Sequence, residues 1–342
     1  MKDFTLAMMA FLIAFSITPI VKKVAFKLNA VDVPKDSRKI HKKPIPLLGG
    51  VAIFIAFALV VLLNPRILSR AEIGILIGAF IILIGGVIDD IKELKPWQKL
   101  LFQIVATLVL IYNGVYIKYI TNPFQNLGTE MLNIKLIGIP FTIIWVVGIT
   151  NALNLIDGLD GLAAGIGFIS SVTIYIVAII ADRGNGALLT AILSGAILGF
   201  LPYNFNPASI FMGDAGAQLL GFLLAAISME GAVKSATAFA VAVPILAIGL
   251  PIYDTIFAMI RRKVNGKPIM GADRGHLHHR LLDIGLSQRQ SVIIMYLISA
   301  CLGAIAILAM QISTKRSYFL LAVVILIIVL IAWRCGFFKK KD

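Results

Sequence analysis

The chain has 342 residues, of which 59% are hydrophobic and only 14% charged, with a mean hydropathy of +0.96. A soluble globule carries about a quarter charged residues and cannot bury so many uninterrupted apolar segments, so this composition excludes a soluble enzyme. The formal net charge of +14 reads first as a topology signal, and nucleic acid is not an expected partner.

Apolar runs, most of them close to the ~18–20 residues that cross a bilayer as helix, predict an all-α polytopic membrane bundle. About eleven spans are expected, at roughly 4–21, 47–63, 72–88, 98–117, 136–153, 162–181, 187–201, 209–228, 236–257, 290–311 and 317–334. The first run follows Met1-Lys2-Asp3 without a small-residue cleavage signal and is read as a retained span. Cys301 and Cys335 lack the spacing of a metal or disulfide motif. With the amino terminus outside and the carboxyl terminus in the cytoplasm, 22 Lys and Arg fall inside and 9 outside, the bias that orients such chains. The same map puts twelve of the seventeen acids and all four histidines inside. Acids contribute little to orientation, so their gathering on one face needs another reason, and chemistry supplies it. The expectation is a single catalytic domain over 1–342 whose site is built from cytoplasmic loops at about 22–46, 89–98, 154–161, 202–214 and 258–289.

Four constellations follow in chain order. The first is Gly85-Gly86-Val87-Ile88-Asp89-Asp90, two adjacent carboxylates where an apolar helix leaves the membrane. Their repulsion suits a general base or a group near a metal, and equally an ordinary helix end partnered by Lys92. In the second, Asn151, Asn154, Asp157 and Asp160 recur every third residue. A step of three drifts around an α-helix, so they share a face only if the segment tightens or breaks into turns, as Gly158 and Gly161 permit. The third runs from Phe211 through Gly213 and Asp214 to Gly216. With no basic residue close in sequence, Asp214 is a helix cap or a ligand for a hard cation. The fourth is Arg274-Gly275-His276-Leu277-His278-His279-Arg280, which suits an anion site, with zinc and a plain basic loop as alternatives.

Together these motifs resemble the polyprenyl-phosphate N-acetylhexosamine-1-phosphate transferases, the superfamily that includes the phospho-MurNAc-pentapeptide translocase. The likeness runs from about Asp32 to Ser287 and also takes in Lys39 to Pro44 with Gly49-Gly50. Leu277 interrupts the histidines where the translocase branch has three in a row after Pro, so the last motif looks like the branch that transfers GlcNAc-1-phosphate. The resemblance implies a UDP-sugar donor, a polyprenyl phosphate such as undecaprenyl phosphate as acceptor, UMP release and Mg²⁺, with Mn²⁺ as a substitute. It implies a bacterial cytoplasmic-membrane enzyme facing the cytoplasm, and is compatible with a homodimer. Carried onto this chain, Asp214 is the chief metal ligand with Asn154. Asp89, Asp90, Asp157 and Asp160 are catalytic. Lys43, Asn151, Asn154, Phe211, Arg274, His276, His278, His279 and Arg280 bind substrate. The rival from another class is an ion-coupled transporter, which would place its acids near the midplane on repeated broken helices.

Overall fold

The computed structural model describes residues 2–34, 43–121, 131–232, 242–268, 275–312 and 314–334. Arg274, expected at the site, lies outside the described residues, as do 35–42 of the first basic loop.

The architecture is an all-helical membrane bundle. Its helices are α1 (Lys2–Lys27), α2 (Gly49–Leu63), α3 (Arg70–Lys92), α4 (Pro96–Tyr112), α5 (Gly138–Ile156), α6 (Leu162–Ile180) and α7 (Gly184–Asn204). They continue as α8 (Gly213–Ala232), α9 (Ala242–Ala247), α10 (Gly249–Val264), α11 (Leu277–Asp283), α12 (Gln288–Gln311) and α13 (Thr314–Arg334). Two antiparallel pairs join them: β1 (Val31–Asp32) with β2 (Ile45–Pro46), and β3 (Tyr119–Thr121) with β4 (Met131–Asn133). By length and apolarity α1, α3, α5, α6, α7 and α12 can cross a bilayer. Gly49–Leu63, Pro96–Tyr112 and Phe319–Ile331 are shorter apolar helical stretches.

Local chemistry sets the boundaries. α3 starts at a capping box in which Ser69 and Glu72 satisfy each other's backbone N–H. Glu72 is itself buried and ion-paired to Arg66. Pro96 opens α4, where a missing N–H costs nothing. Three boundaries depart from the hydropathy reading. α1 continues past residue 21 through Lys22, Lys23 and Lys27, because no breaker appears until Asn29 turns left-handed. The described part of the expected 236–257 span is two helices separated at Ile248, with Pro251 in the first turn of the second. α10 then runs on to Val264, beyond the apolar stretch.

α8 is the axis of the bundle. Every residue from Ala215 to Met229 is buried, and α2, α3, α5, α6 and α7 pack around it. Small residues allow that closeness: a Cβ on Gly50 would overlap the Gly216 backbone, and one on Gly86 the Ala215 backbone. Around the outside, large apolar side chains such as Phe4, Phe80, Ile144, Leu297 and Phe319 are exposed, as a lipid-facing surface requires.

Candidate active site

The close approach of α3 to α8 decides what becomes of the adjacent carboxylates. Asp90 turns to α8 and accepts the backbone N–H of Asp214 at 2.8 Å and of Ala215 at 3.2 Å. It thus caps a helix distant in sequence, with its carboxyl oxygens on the unsatisfied N–H groups of that helix's first turn. Gly213 makes room, since it sits at φ +72° and a side chain there would strike the Asp90 carboxylate. Asp89 turns the other way. Its Oδ1 accepts the Leu94 N–H at 2.6 Å, closing the end of α3, while Oδ2 ion-pairs with Lys99.

Lys99, on the first turn of α4, also reaches Asp214 Oδ2 at 2.5 Å. Asp214 therefore lacks a cation nearby in sequence but has one in space. It lies within the first turn of α8, and its side chain turns to Lys99. The Asn154 side chain interacts with the Asp214 carboxylate, and its own buried Oδ1 has no hydrogen-bond partner among the described residues. An unpartnered amide oxygen beside two converging carboxylates is an oxygen-donor set that fits a hard divalent cation, which takes one or two carboxylates and completes its shell with water and phosphate. Among the described residues no three His, Cys, Asp or Glu side chains form a cluster able to hold a metal, so these side chains alone complete neither a zinc site nor this oxygen shell, which needs water and phosphate as further ligands.

The run from Asn151 to Asp160 breaks into a turn after Ile156 and fans its polar groups in four directions. Asn151 bonds Gln103 at 2.8 Å, and Gln103 bonds Gln218 on α8 at 3.0 Å, a buried amide chain inside the bundle. Asn154 goes to Asp214. Asp157 faces the cavity, where burial first, then the negative charges of Asp214 and Asp160, push its pKa up to about 7. Asp160 accepts Asn206 Nδ2 and the Ala208 N–H, both at 3.0 Å, and so ties down the loop between α7 and α8.

The histidine run divides likewise. His276 and His278 are buried, whereas His279 reaches the cavity. The His278 ring lies against Gly158, and burial, then His279, hold its pKa down to about 3. Arg280 folds back so that its Nε donates to the Gly275 carbonyl at 3.0 Å. Phe211 donates its N–H to Pro46 and accepts from Gly49, fastening the β2 segment to the start of α8.

These elements enclose one cavity of about 1010 Å³. Asp89, Asp90, Asp157, Asp160, Asp214, Lys43, Phe211 and His279 line it. Asn151, Asn154, His276, His278 and Arg280 do not, although Asn154 touches Asp214. Two ionisable groups that contact predicted site residues escape motif reading: Lys99, and Asp254 on α10. Each carried a usable signal, because an ionisable side chain within an apolar run is costly unless it meets a partner.

Fold and site define a polytopic membrane protein whose carboxylates, a lysine and a histidine meet around a large cavity at its helix ends. Residues 72–232 match the model of glycosyl transferase family 4. The Bacillus subtilis (strain 168) protein named probable undecaprenyl-phosphate N-acetylglucosaminyl 1-phosphate transferase is 40% identical over 325 residues, 95% of this chain and 90% of that one. The decaprenyl-phosphate N-acetylglucosaminephosphotransferase of Mycolicibacterium smegmatis is 36% identical over 84% of this chain and 77% of its own. An undecaprenyl-phosphate alpha-N-acetylglucosaminyl 1-phosphate transferase of Thermotoga maritima is 29% identical over 95% of both. The chain belongs to glycosyl transferase family 4.

Proposed function

We propose that this protein transfers GlcNAc-1-phosphate from UDP-GlcNAc to a polyprenyl phosphate at the cytoplasmic face of a bacterial membrane, releasing UMP. The observation that carries the reading is the convergence of Asp89, Asp157 and Asp214 on a cavity shared with Lys99, Lys43 and His279. That lining holds seven carboxylates against three lysines, a poor host for two phosphates unless added cations offset the charge. Mg²⁺, or Mn²⁺ in its place, held by Asp214 and Asn154, would neutralise the charge that builds on the phosphate oxygens.

The chain's own groups supply the rest. Asp89 orients the acceptor phosphate, or takes its proton, so that an oxygen can attack the β-phosphorus of the nucleotide sugar. The bond to the UMP oxygen breaks as the new one forms. Lys99 and Lys43 hold phosphate charge, His279 donates to the pyrophosphate or sugar, and Phe211 offers a flat face to the uracil. Asp90 and Asp160, whose carboxylates are occupied by backbone N–H groups, keep the wall in place. The relatives' names and the Leu277 interruption of the histidines favour GlcNAc over a muropeptide. The inward excess of Lys and Arg, 22 to 9, supports a cytoplasmic cavity.

Purified protein in liposomes containing undecaprenyl phosphate should release UMP from UDP-GlcNAc and not from UDP-MurNAc-pentapeptide, with no solute uptake. Asp214→Asn should fold normally, lose about two orders of magnitude in rate and need more Mg²⁺ for what remains. No UMP release from any UDP-sugar would overturn the transferase reading.

A further inference from the structure

We propose that Asp254 is a positioning residue of the transfer site, holding the histidine segment so that His279 stands in the cavity and the Asp157 to Asp160 turn keeps its place. The inference rests on the transferase reading for its effect on substrate, while its structural part stands alone.

Asp254 lies on α10, is 5% exposed, and is absent from the cavity wall. A carboxylate so buried in an apolar helix requires partners. Both its oxygens have one on the histidine segment: Oδ2 meets His276 Nδ1 at 2.7 Å, and Oδ1 accepts the Leu277 N–H at 2.9 Å. The Nδ1–Oδ2 contact orients the His276 ring by one of its two nitrogens. α11 has seven residues, begins at Leu277 with His276 as its N-cap residue, and among the described residues has no side-chain cap of its own. A helix that short does not hold itself, and Asp254 supplies from another helix the acceptor its first turn lacks. Arg261, two turns along α10, packs on Gly275, where a Cβ would overlap the guanidinium. One face of α10 therefore seats the whole segment from Gly275 to Leu277.

From there the packing is continuous. The His276 ring stacks on His278 at 5.8 Å between centroids and 6° between planes. His278 presses on Gly158, between Asp157 and Asp160, with no room for a Cβ. The His279 ring, 4.2 Å from that of His278, completes the series at the cavity. Asp254 thus reaches the site through two rings and one glycine, without lining the cavity.

Two measurements test this. In nucleotide-free protein His278 is 2% exposed and should resist diethyl pyrocarbonate. Asp254→Ala should raise its modification rate about tenfold. Asp254→Asn can still accept from Leu277 and hydrogen-bond the His276 ring, and should not. In UDP-GlcNAc binding with Mg²⁺ present, Asp254→Ala should weaken affinity about tenfold alone and less than about twofold in a His279→Ala background, since residues acting through one group are not additive. His276→Ala breaks the same link from the loop side and gives the same cycle if Asp254→Ala is not recovered folded. A full, multiplicative loss in the double variant, or unchanged His278 protection in Asp254→Ala, would overturn the proposal. Wild-type protein that binds no UDP-sugar would instead sink the transferase reading, leaving His278 protection to decide whether Asp254 holds the segment.

Discussion

Lys99→Met removes an ammonium that stands between two carboxylates while keeping a side chain of similar length. The remaining Asp89 and Asp214 then face each other across the cavity wall without their shared cation. A unit-charge pair at contact is worth about 4–5 kcal/mol at an effective dielectric constant near 20. Breaking a fully buried pair costs about 3–5 kcal/mol. Lys99 is 26% exposed and opens onto cavity water, so screening lowers the expected loss to about 2 kcal/mol. Thermal unfolding of the detergent-solubilised protein in chelator should show the variant melting below wild type. The deficit should shrink as Mg²⁺ is titrated in, because a divalent cation bound near Asp214 offsets the same charge and stabilises the folded state by mass action. Adding Asp214→Asn to Lys99→Met should restore part of the loss, since it deletes one of the two repelling charges. Equal melting of Lys99→Met and wild type in chelator, or a deficit indifferent to both Mg²⁺ and Asp214→Asn, would refute the cation-bridged arrangement.

Two further outcomes are expected. In metal-free protein Asp157 keeps its proton to about pH 7, whereas the unfolded chain loses it near 3.8. Between those values the folded state binds more protons, so stability falls as pH rises. Asp157→Asn, neutral throughout, should flatten that slope in melting curves recorded from pH 4 to 7, and an unchanged slope would show that Asp157 is not its source. For orientation, a cysteine introduced at Gly266 should resist a membrane-impermeant thiol reagent in intact cells, while one at Ser69 should react. The reverse pattern would turn the cavity away from the cytoplasm.

Membership of a helical membrane class was legible in composition, because a bilayer demands long apolar runs whatever their neighbours do. The chemistry-bearing residues were legible as a set, since carboxylates and histidines crowd the helix ends of one expected face. Their division of labour was not. Asp89 and Asp90 are adjacent and chemically identical, and only the packing of α3 against α8 sends one to Lys99 and the other to two backbone N–H groups. His276, His278 and His279 read as one cationic patch, yet the carboxylate of Asp254 and the bare face of Gly158 bury two of them and leave the third at the cavity. Asp214 has no cation nearby in sequence, but Lys99, 115 residues away, reaches it across the bundle. Hydropathy and motif spacing are local properties of the chain and survive in any arrangement. Which oxygen meets which proton depends on helices far apart in sequence, and only their packing around α8 decides it.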